Sequence, residues 1–404
     1  MNVVYLTFSS NINLDSGGVH IDLVKEFRNQ GHNIYVVCPL ERRLRKSTCF
    51  EKIGNILVLR TWTLNLKNTN LIEKGLGTLL VEYQFKKAIK KFFSDIQFDL
   101  ILYSTPPITF PNVINFLKRS NPQAVSYLLL KDIFPQNAVD LKMMSKASLI
   151  YKAFRRKEKN LYRASDFIGC MSPANVQYLL RHNPEITPQK VEIAPNSLMN
   201  IELSGFEKNE ILQKYGLPLD KPIFIYGGNL GKPQGIDFLI KCLDANRERR
   251  DCFFVVIGGG TELEKLKQWY GQFQPSNCKV FDEISKLDYD FLVRACNVGL
   301  IFLNHNFTIP NYPARLLSYL QFKLPIIAAT DINSDVGKIA IDNGYGLWCE
   351  SNSVEAFTQC VDDMMASDMK EMGEKGFQFY LNNYQTINTY NVIAKHINID
   401  CSHK

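Results

Sequence analysis

Several large classes of protein are excluded by what this sequence of 404 residues lacks. Its ten cysteines include no Cys-x-x-Cys pair, which argues against a zinc site or a disulfide framework and for free thiols in a reducing cytoplasm. The longest apolar runs, at 298–303 and 324–329, are far shorter than the roughly 18 residues that span a bilayer. The N-terminus has no basic region and no small-residue cleavage site, so residues 3–8 are expected to form a first strand and not a signal peptide.

Signatures of cofactors, metals and nucleic acids are also missing. There is no Walker A motif and no full Gly-x-Gly-x-x-Gly spacing, which disfavours P-loop and NAD binding. The histidines form no His-x-x-x-His pair and no cluster with cysteine, so we expect no metal site and no cofactor. No nucleic-acid-binding module is recognisable, and the aromatic residues do not form a stacking platform.

Positive charge is concentrated in the first half of the chain. Residues 1–200 hold 27 Lys and Arg against 15 Asp and Glu, whereas residues 201–404 hold 20 against 25. This asymmetry predicts two domains with different partners. Within the basic half, residues 85–93 and 151–163 mix basic and aromatic residues and are typical of amphipathic helices that lie on an anionic membrane. The alternative is a solvated basic face above a packed one.

Short apolar strands alternate with helical patterns in both halves, which predicts an α/β fold with parallel sheets. The longest predicted helices are 72–93 and 139–163. The pattern restarts after a seam near 195–221, so we predict two Rossmann-like, doubly wound domains that face a central cleft. The expected boundaries are 1–198 for the first domain and 199–379 for the second.

Three glycine clusters follow predicted strands, at Gly17-Gly18, at 227–231 and at 258–260. Glycine lets backbone N–H groups approach an anion, and the N-terminus of the next helix adds partial positive charge. A diphosphate held by two such turns is one interpretation. The other is that strand-to-helix turns need glycine for its positive φ.

The motifs, in their order, resemble one known family. They read Ser-Gly-Gly-Val-His at 16–20, Asp-Ile-Phe-Pro-Gln at 132–136, Ile-Tyr-Gly-Gly-Asn-Leu-Gly-Lys-Pro-Gln-Gly at 225–235, Val-Ile-Gly-Gly-Gly at 256–260, and Leu-Leu-Ser-Tyr-Leu running into Leu-Pro-Ile-Ile at 316–327. The series resembles the retaining glycosyltransferases of family four, which have the GT-B fold. The subgroup it resembles is the bacterial capsule and O-antigen transferases of the N-acetylhexosamine or fucosamine type. By analogy with that fold, the last helix, 380–404, is expected to pack on the first domain.

The resemblance implies roles for particular residues. Gly17 and Gly18 would approach the β-phosphate of the donor, and 281–284 would hold its nucleobase. In many relatives a Glu-x7-Glu pair binds the donor, but Pro310 and Ser318 stand at the matching positions here. The implied donor-binding residues are Gly17, Gly18, Gly228, Asn229, Gly260, Thr261, Glu283, Ile284, Asn311, Tyr312 and Ser318.

Positive charge for the leaving diphosphate must therefore come from other residues. The usual Arg and Lys of the second glycine loop are replaced by Asn229 and Gln234. We expect Lys232 and Arg315 to supply the charge, since the guanidinium fork suits a phosphate. The alternative is that both are solvated surface residues.

Asp132 is the candidate on the acceptor side. It follows an apolar strand and precedes Pro135, so it should lie at the carboxyl end of that strand, where it could orient or deprotonate an acceptor hydroxyl. It could equally be a turn or N-cap residue. His20 follows Gly18 and is expected to face the same site, although a place on the helix surface fits as well.

Taken together, the resemblance implies a metal-independent transferase that moves a hexose or N-acetylhexosamine from a nucleotide-diphosphate sugar, expected to be UDP-linked. The acceptor would be an undecaprenyl-diphosphate-linked saccharide of capsule or O-antigen synthesis, at the inner face of the plasma membrane. Two alternatives stay open: an enzyme like UDP-GlcNAc 2-epimerase, and a non-catalytic subunit that binds a nucleotide sugar.

Overall fold

The computed structural model describes residues 1–9, 12, 17–66 and 69–397. Ser16 of the first glycine motif and residues 398–404 of the predicted last helix lie outside the described residues. The chain divides into a first unit of residues 1–199 and 386–404 and a second unit of residues 200–385. The sequence prediction returned the chain to the first unit at residue 380. In the structure it returns at residue 386, because a continuous helix, Met369–Asn383, keeps residues 380–383 in the second unit.

The first unit is built on one eight-stranded sheet in the order β3-β4-β2-β1-β5-β6-β7-β8. All neighbouring strands are parallel except β3 and β4, which form an antiparallel hairpin at one edge. The sequence prediction missed β3 and this hairpin. The strands are β1 Asn2–Leu6, β2 Asn33–Glu41, β3 Cys49–Ile53, β4 Ile56–Thr63, β5 Leu100–Ser104, β6 Val125–Leu130, β7 Phe167–Cys170 and β8 Val191–Ile193.

Among the described residues, six helices and a seventh from near the end of the chain cover this sheet. The last helix packs with the first helix over a core that includes Phe27, Tyr127, Tyr390 and Ile393. None of the helices in the described part of the chain combines the length and apolar character needed to cross a membrane. The helices are α1 Val19–Asn29, α2 Leu71–Phe92, α3 Pro111–Ser120, α4 Gln136–Asp140, α5 Leu149–Ala164 and α6 Pro173–His182, with the seventh at Thr386–Ala394.

The prediction of one helix over 139–163 is wrong. Helix α4 ends at Asp140, and Lys142 takes a left-handed φ of 56°, which a helix cannot accommodate. The next helix begins only after Ser148, whose side-chain oxygen accepts a hydrogen bond from the Tyr151 N–H and so caps α5.

The second unit contains a six-stranded, fully parallel sheet in the order β11-β10-β9-β12-β13-β14. The prediction of two parallel-sheet α/β domains is confirmed. The strands are β9 Ile223–Asn229, β10 Phe253–Gly259, β11 Cys278–Phe281, β12 Val298–Phe302, β13 Ile326–Thr330 and β14 Gly346–Glu350. The helices are α7 Lys208–Lys214, α8 Ile236–Ala245, α9 Leu263–Phe273, α10 Lys286–Ala295, α11 Arg315–Gln321, α12 Val336–Asp342, α13 Val354–Ala366 and α14 Met369–Asn383, followed by α15, the Thr386–Ala394 helix of the first unit.

The strand order of the second sheet reverses between β9 and β12, and such a point leaves a crevice at the carboxyl ends of the strands. These two strands pair at only two positions, Phe224 with Val298 and Ile225 with Gly299. Beyond them the buried Tyr319 hydroxyl accepts a hydrogen bond from the Gly227 N–H at 3.1 Å. The same hydroxyl donates toward the carbonyl oxygens of Ile225, at 3.1 Å, and Leu300, at 3.3 Å.

Tyr319→Phe should destabilise the protein by about 1–3 kcal/mol, because it leaves buried backbone groups of two strands without a partner. The free energy of unfolding in urea measures this loss. Tyr270→Phe is the control, since no hydrogen bond of its half-buried hydroxyl is present in the described structure, and it should change stability by less than about 0.5 kcal/mol. Equal losses in the two variants would contradict a bridging role for Tyr319.

Candidate functional site

The glycines at the carboxyl ends of β9 and β10 serve close backbone packing. Gly258 has a φ of 152°, and a Cβ there would lie 1.8 Å from the Gly228 carbonyl oxygen. The two turns are joined by a hydrogen bond of 2.8 Å from the Leu230 N–H to the Gly259 carbonyl. The fold itself therefore requires glycine at position 258, whether or not a ligand binds there. This agrees with the second interpretation of the glycine clusters, in which the turns need glycine for its positive φ.

Arg315, the first residue of α11, lies beside this turn. Its guanidinium carbon is 4.2 Å from the centre of the Tyr226 ring, and Nη2 lies 3.4 Å from the Asn229 carbonyl oxygen. A Cβ on Gly228 would come within 3.8 Å of Nη2. The Nη1 atom is buried and has no hydrogen-bond partner among the described residues. Because a guanidinium keeps its charge in proteins, this edge holds a fixed positive charge with donor capacity that the described residues do not use.

In the resembling family, two positions of this loop carry Arg and Lys. Here they are Asn229 and Gln234, and the two side chains are hydrogen-bonded to each other. The Asn229 amide donates to Gln234 Oε1 at 2.9 Å, and the Gly231 N–H donates to the same oxygen at 3.3 Å. The pair is neutral and fixes the loop. Lys232 lies within this loop, but its side chain is exposed and forms no ion pair within the described ranges. The structure therefore brings Gly228, Asn229 and Arg315 together, while the predicted role of Lys232, exposed in the same loop, stays a prediction.

Asn311 and Tyr312 lie in the loop after β12. Asp331 anchors this loop through a hydrogen bond from Ser334. The Asn311 N–H donates to Ser334 Oγ at 2.9 Å, and that hydroxyl donates to Asp331 Oδ2 at 2.8 Å. The Asn311 amide nitrogen is buried and unpartnered within the described structure, so it is a second donor at this edge. The Tyr312 hydroxyl pairs with that of Tyr384.

The remaining donor-side residues are spread around the same end of the sheet. Ser318 is buried inside α11, where it is 7% exposed. Helix α9 begins at Leu263, and Thr261, two residues before it, is exposed. Glu283 and Ile284 follow β11, and a Cβ on Gly259 would lie 3.4 Å from Glu283 Oε2. Gly260 precedes α9 with a φ of 157°.

In the first unit, the turn before α1 is stabilised by Asp22. The Gly18 N–H, which the resemblance assigns to a phosphate, donates to Asp22 Oδ1 at 3.2 Å. The other carboxylate oxygen accepts from the Met199 N–H at 3.0 Å. Gly17 is exposed, and His20 Nδ1 is hydrogen-bonded to the hydroxyl of the buried Tyr5 on β1.

Asp132 is placed at the carboxyl end of β6, as its position in the sequence suggested. Asn137 Nδ2 lies 2.9 Å from Oδ1 and 3.0 Å from Oδ2, and the Asp132 N–H donates to Thr105 Oγ1 at 3.0 Å. Its carboxylate does not cap α4, whose N-cap residue is Pro135. Burial raises the pKa of Asp132 to about 6, against the hydrogen bonds from the Ile133 N–H and Asn137, which favour the charged form.

Sequence reasoning missed several residues at these edges. Burial lowers the pKa of Lys131, next to Asp132, to about 7. Burial likewise raises the pKa of Asp331, which follows β13. The sequence did contain a signal for Lys131 and Asp331, because each is a charged residue directly after a buried strand of a parallel sheet. For Tyr319 there was no signal, because its role depends on where α11 crosses two strands.

Comparison with known proteins identifies the second unit. Residues 207–379 match the family model described as glycosyl transferases group 1. The chain is a glycosyltransferase. Over 315 residues it is 23% identical to the probable glycosyltransferase WbjE of Pseudomonas aeruginosa. The aligned region covers 75% of this chain and 74% of WbjE.

Solved structures show that the enzyme has the GT-B fold. It is similar to a sucrose-phosphate synthase from Thermosynechococcus elongatus, with a TM-score of 0.75, 14% identity and 98% of each chain covered. It is also similar to Anabaena HepE in complex with UDP, with a TM-score of 0.68, 13% identity, and 98% of this chain and 99% of that chain covered.

If Asp132 orients the acceptor hydroxyl by accepting its hydrogen bond, its carboxylate must be ionised. We expect kcat/KM of the glycosyltransferase to fall about tenfold per pH unit below pH about 6, since that is where the carboxyl becomes protonated. Asp132→Asn should lower kcat/KM by about 10²–10⁴-fold and remove this acidic limb.

Asn137→Ala provides a second readout. It removes donors that favour the charged carboxylate, so the pKa of Asp132 should rise further and the acidic limb should move to higher pH. An acidic limb that stays in place in both variants would assign the titration to another group.

Proposed function

We propose that this glycosyltransferase takes a sugar from a UDP-linked donor and transfers it, with retention of configuration, to a hydroxyl of a lipid-linked saccharide in bacterial capsule or O-antigen synthesis. The observation that carries the proposal is Arg315, a fixed positive charge with an unpartnered, buried Nη1 at the strand-order reversal of the second sheet. A diphosphate is the ligand that such a group suits. HepE, which shares the fold, binds UDP.

The proposed reaction is a front-face displacement that needs no metal. The bond between the anomeric carbon and the β-phosphate oxygen breaks, the bond to the acceptor oxygen forms on the same face, and the acceptor proton passes to the departing phosphate. Arg315 and the Asn311 amide would stabilise the charge that develops on the phosphate. Asp132 would orient the acceptor hydroxyl or share its proton.

The two alternative functions differ from this one in what they turn over. An epimerase would convert free UDP-GlcNAc to its 2-epimer without an acceptor. A binding subunit would bind the nucleotide sugar and turn over nothing. Transfer of sugar to a lipid-linked acceptor distinguishes the transferase from both.

The donor is tested by thermal shift with UDP, GDP, ADP and CMP. A ligand at about 100 times its dissociation constant adds about 2.7 kcal/mol of stability, and we expect this only from UDP and UDP-sugars. Arg315→Ala should abolish the shift, because it removes the fixed charge and both Nη donors.

Arg294→Ala is the matched control. Its guanidinium carbon lies 4.3 Å from the Phe206 ring, and Nη1 donates to the Leu203 carbonyl, so it shares the ring and backbone contacts of Arg315. It lies at the end of α10, just before β12 begins, and so away from the carboxyl ends of the strands. This variant should keep the UDP shift. Loss of the shift in both variants, or a shift that survives Arg315→Ala, would remove Arg315 from the site.

Peripheral contact of the first unit with an anionic membrane is part of the proposal. The aromatic side chains of 85–93 give little support, because Phe85 and Phe93 are buried in the core. Apolar exposure is found instead beside the second basic stretch: Met143 is 65% exposed, Leu149 81% and Ile150 62%. Exposed basic residues flank them, namely Lys142, Lys146, Lys152 and Arg156. Such a surface suits the inner leaflet of the plasma membrane.

Co-sedimentation with phosphatidylglycerol vesicles tests this contact. Leu149→Ser with Ile150→Ser should weaken binding at least about tenfold, since burying such side chains in the acyl boundary contributes about 1.5–3 kcal/mol each. Leu219→Ser with Leu287→Ser, at comparably exposed leucines of the second unit, should have no effect. Equal binding by the two double variants would rule out this surface.

A further inference from the structure

Strand β6 runs directly into a charged residue that the proposed transfer does not use. Residues 128–130 are buried leucines, and Lys131 follows them. Because β6 pairs with β5 on one side and β7 on the other, Lys131 lies at the carboxyl edge in the interior of the sheet, next to Asp132. Ligands of parallel sheets bind at this edge.

The Lys131 ammonium group has no partner in the described part of the chain. It forms no ion pair, no hydrogen bond and no contact with an aromatic ring there. Other half-buried lysines of the first unit are paired. Lys118, Lys157 and Lys159 form ion pairs with Asp166, Glu82 and Glu185, and Lys190 donates to the Tyr162 carbonyl oxygen at 3.3 Å. The three N–H donors of Lys131 are therefore unused.

The charged group nearest to Lys131 in the chain is turned elsewhere. The carboxylate of Asp132 accepts from Asn137 of α4, at 2.9 Å and 3.0 Å for its two oxygens. The neighbouring strands do not end on a charge, since β5 runs into Ser104-Thr105 and β7 into Cys170-Met171. The side chains around the carboxyl end of β6 thus leave the ammonium group uncompensated.

Helix α1 brings two more titratable side chains to this edge, His20 and Asp22. His20 is hydrogen-bonded to the Tyr5 hydroxyl, and Asp22 accepts from the Gly18 N–H at 3.2 Å. Neither forms an ion pair with Lys131. Burial lowers the pKa of Lys131 to about 7, and no charged side chain among the described residues shifts it in either direction.

A ligand can reach this group. Lys131 is only half-buried, and its Nζ is not among the side-chain atoms that are sealed from solvent without a partner. A partly desolvated ammonium has lost some of the hydration of a surface lysine and lacks the carboxylate of a paired one. An anion bound beside it would supply the missing interaction through charge-assisted hydrogen bonds.

We propose that Lys131 binds an anionic group of the acceptor, a phosphate or a carboxylate, and so selects acceptors that carry negative charge. This role rests on the proposed function, in which Asp132 orients the acceptor hydroxyl. Because the carboxylate of Asp132 is turned to α4 and does not contact the ammonium, the reacting hydroxyl and the anionic group are separate parts of the acceptor. The lipid diphosphate is one source of the anion, and a sugar carboxylate is the other.

Binding is tested by calorimetry with the full-length protein and three probes that share one alkyl chain. They are undecyl N-acetylglucosaminide, which is neutral, undecyl glucuronide, which carries a carboxylate, and N-acetylglucosamine joined to undecanol through a diphosphate. We expect at least one anionic probe to bind at least tenfold more tightly than the neutral one. Tighter binding of the diphosphate identifies the lipid as the source of the anion, and tighter binding of the glucuronide identifies a sugar carboxylate. Lys131→Met should weaken the preferred probe at least tenfold.

Binding should also take up a proton, because a bound anion favours the charged ammonium and raises its pKa toward the ordinary value of about 10.4. From a pKa of about 7, the uptake should be about 0.9 proton at pH 8 and about 0.1 at pH 6. Calorimetry in two buffers with different ionisation enthalpies measures it. Lys131→Arg should keep the affinity at pH 8 and lose the uptake, since a guanidinium is already charged. Asp132→Asn should keep the uptake at pH 8.

Lys190→Met is the matched control. Lys190 is half-buried like Lys131, and burial lowers its pKa as well, but it lies just before β8 begins, at the amino end of that strand. This variant should change neither the preference for anionic probes nor the proton uptake. Lys131→Met should not lower the urea midpoint, because it replaces an unpaired, partly desolvated charge by an apolar side chain of similar length.

Four results would overturn the proposal. The first is no binding of either anionic probe at millimolar concentration, and the second is equal binding of all three probes. The third is a preference for anionic probes that Lys131→Met leaves unchanged. The fourth is loss of the UDP thermal shift in Lys131→Met, which would assign the ammonium to the donor diphosphate. Absence of a UDP shift in the unaltered protein would instead contradict the proposed donor site, so the two failures are distinguishable.

Discussion

The reversal of strand order between β9 and β12 is the constraint on which the second unit depends. The two strands part after two residue pairs, and one buried tyrosine hydroxyl holds their carboxyl ends at a fixed separation. Tyr319 and Arg315 are four residues apart on α11, so they lie on the same face of the helix. The contact that fixes the crevice therefore also fixes the guanidinium beside it.

In the proposed donor site, one fixed cation replaces the charged residues that the resembling family carries in the second glycine loop. In the second glycine loop, Asn229 and Gln234 form a neutral hydrogen-bonded pair that holds the loop in place but adds no charge. Arg315 reaches the same backbone from a different element, over the Tyr226 ring. Stacking on an aromatic face restricts the guanidinium without neutralising it, so its charge stays directed at one place.

The sequence was sufficient for the α/β class and the parallel sheets, because those follow from the alternation of short apolar runs with helical periodicity. It failed where structure depends on local backbone detail or on crossing elements. The break in 139–163 came from a left-handed Lys142 and the Ser148 cap, neither of which disturbs the helical pattern of the surrounding residues. The bridging hydroxyl of Tyr319 depends on contacts 19 and 94 residues away in the chain, and no periodicity encodes these.

The two units also use charge in opposite ways. Burial moves the pKa of Asp132 up to about 6 and that of Lys131 down to about 7, so both groups at the end of β6 titrate close to neutrality. Arg315 does not lose its proton at any pH at which the fold survives. In the proposed reaction the Asp132 carboxylate orients the acceptor hydroxyl, whereas the departing diphosphate is stabilised by a charge that does not change with pH. Each residue type therefore fits the role proposed for it. A Lys in place of Arg315 would be titratable, so burial could lower its pKa as it lowers that of Lys131, and the proposed donor binding would then depend on pH.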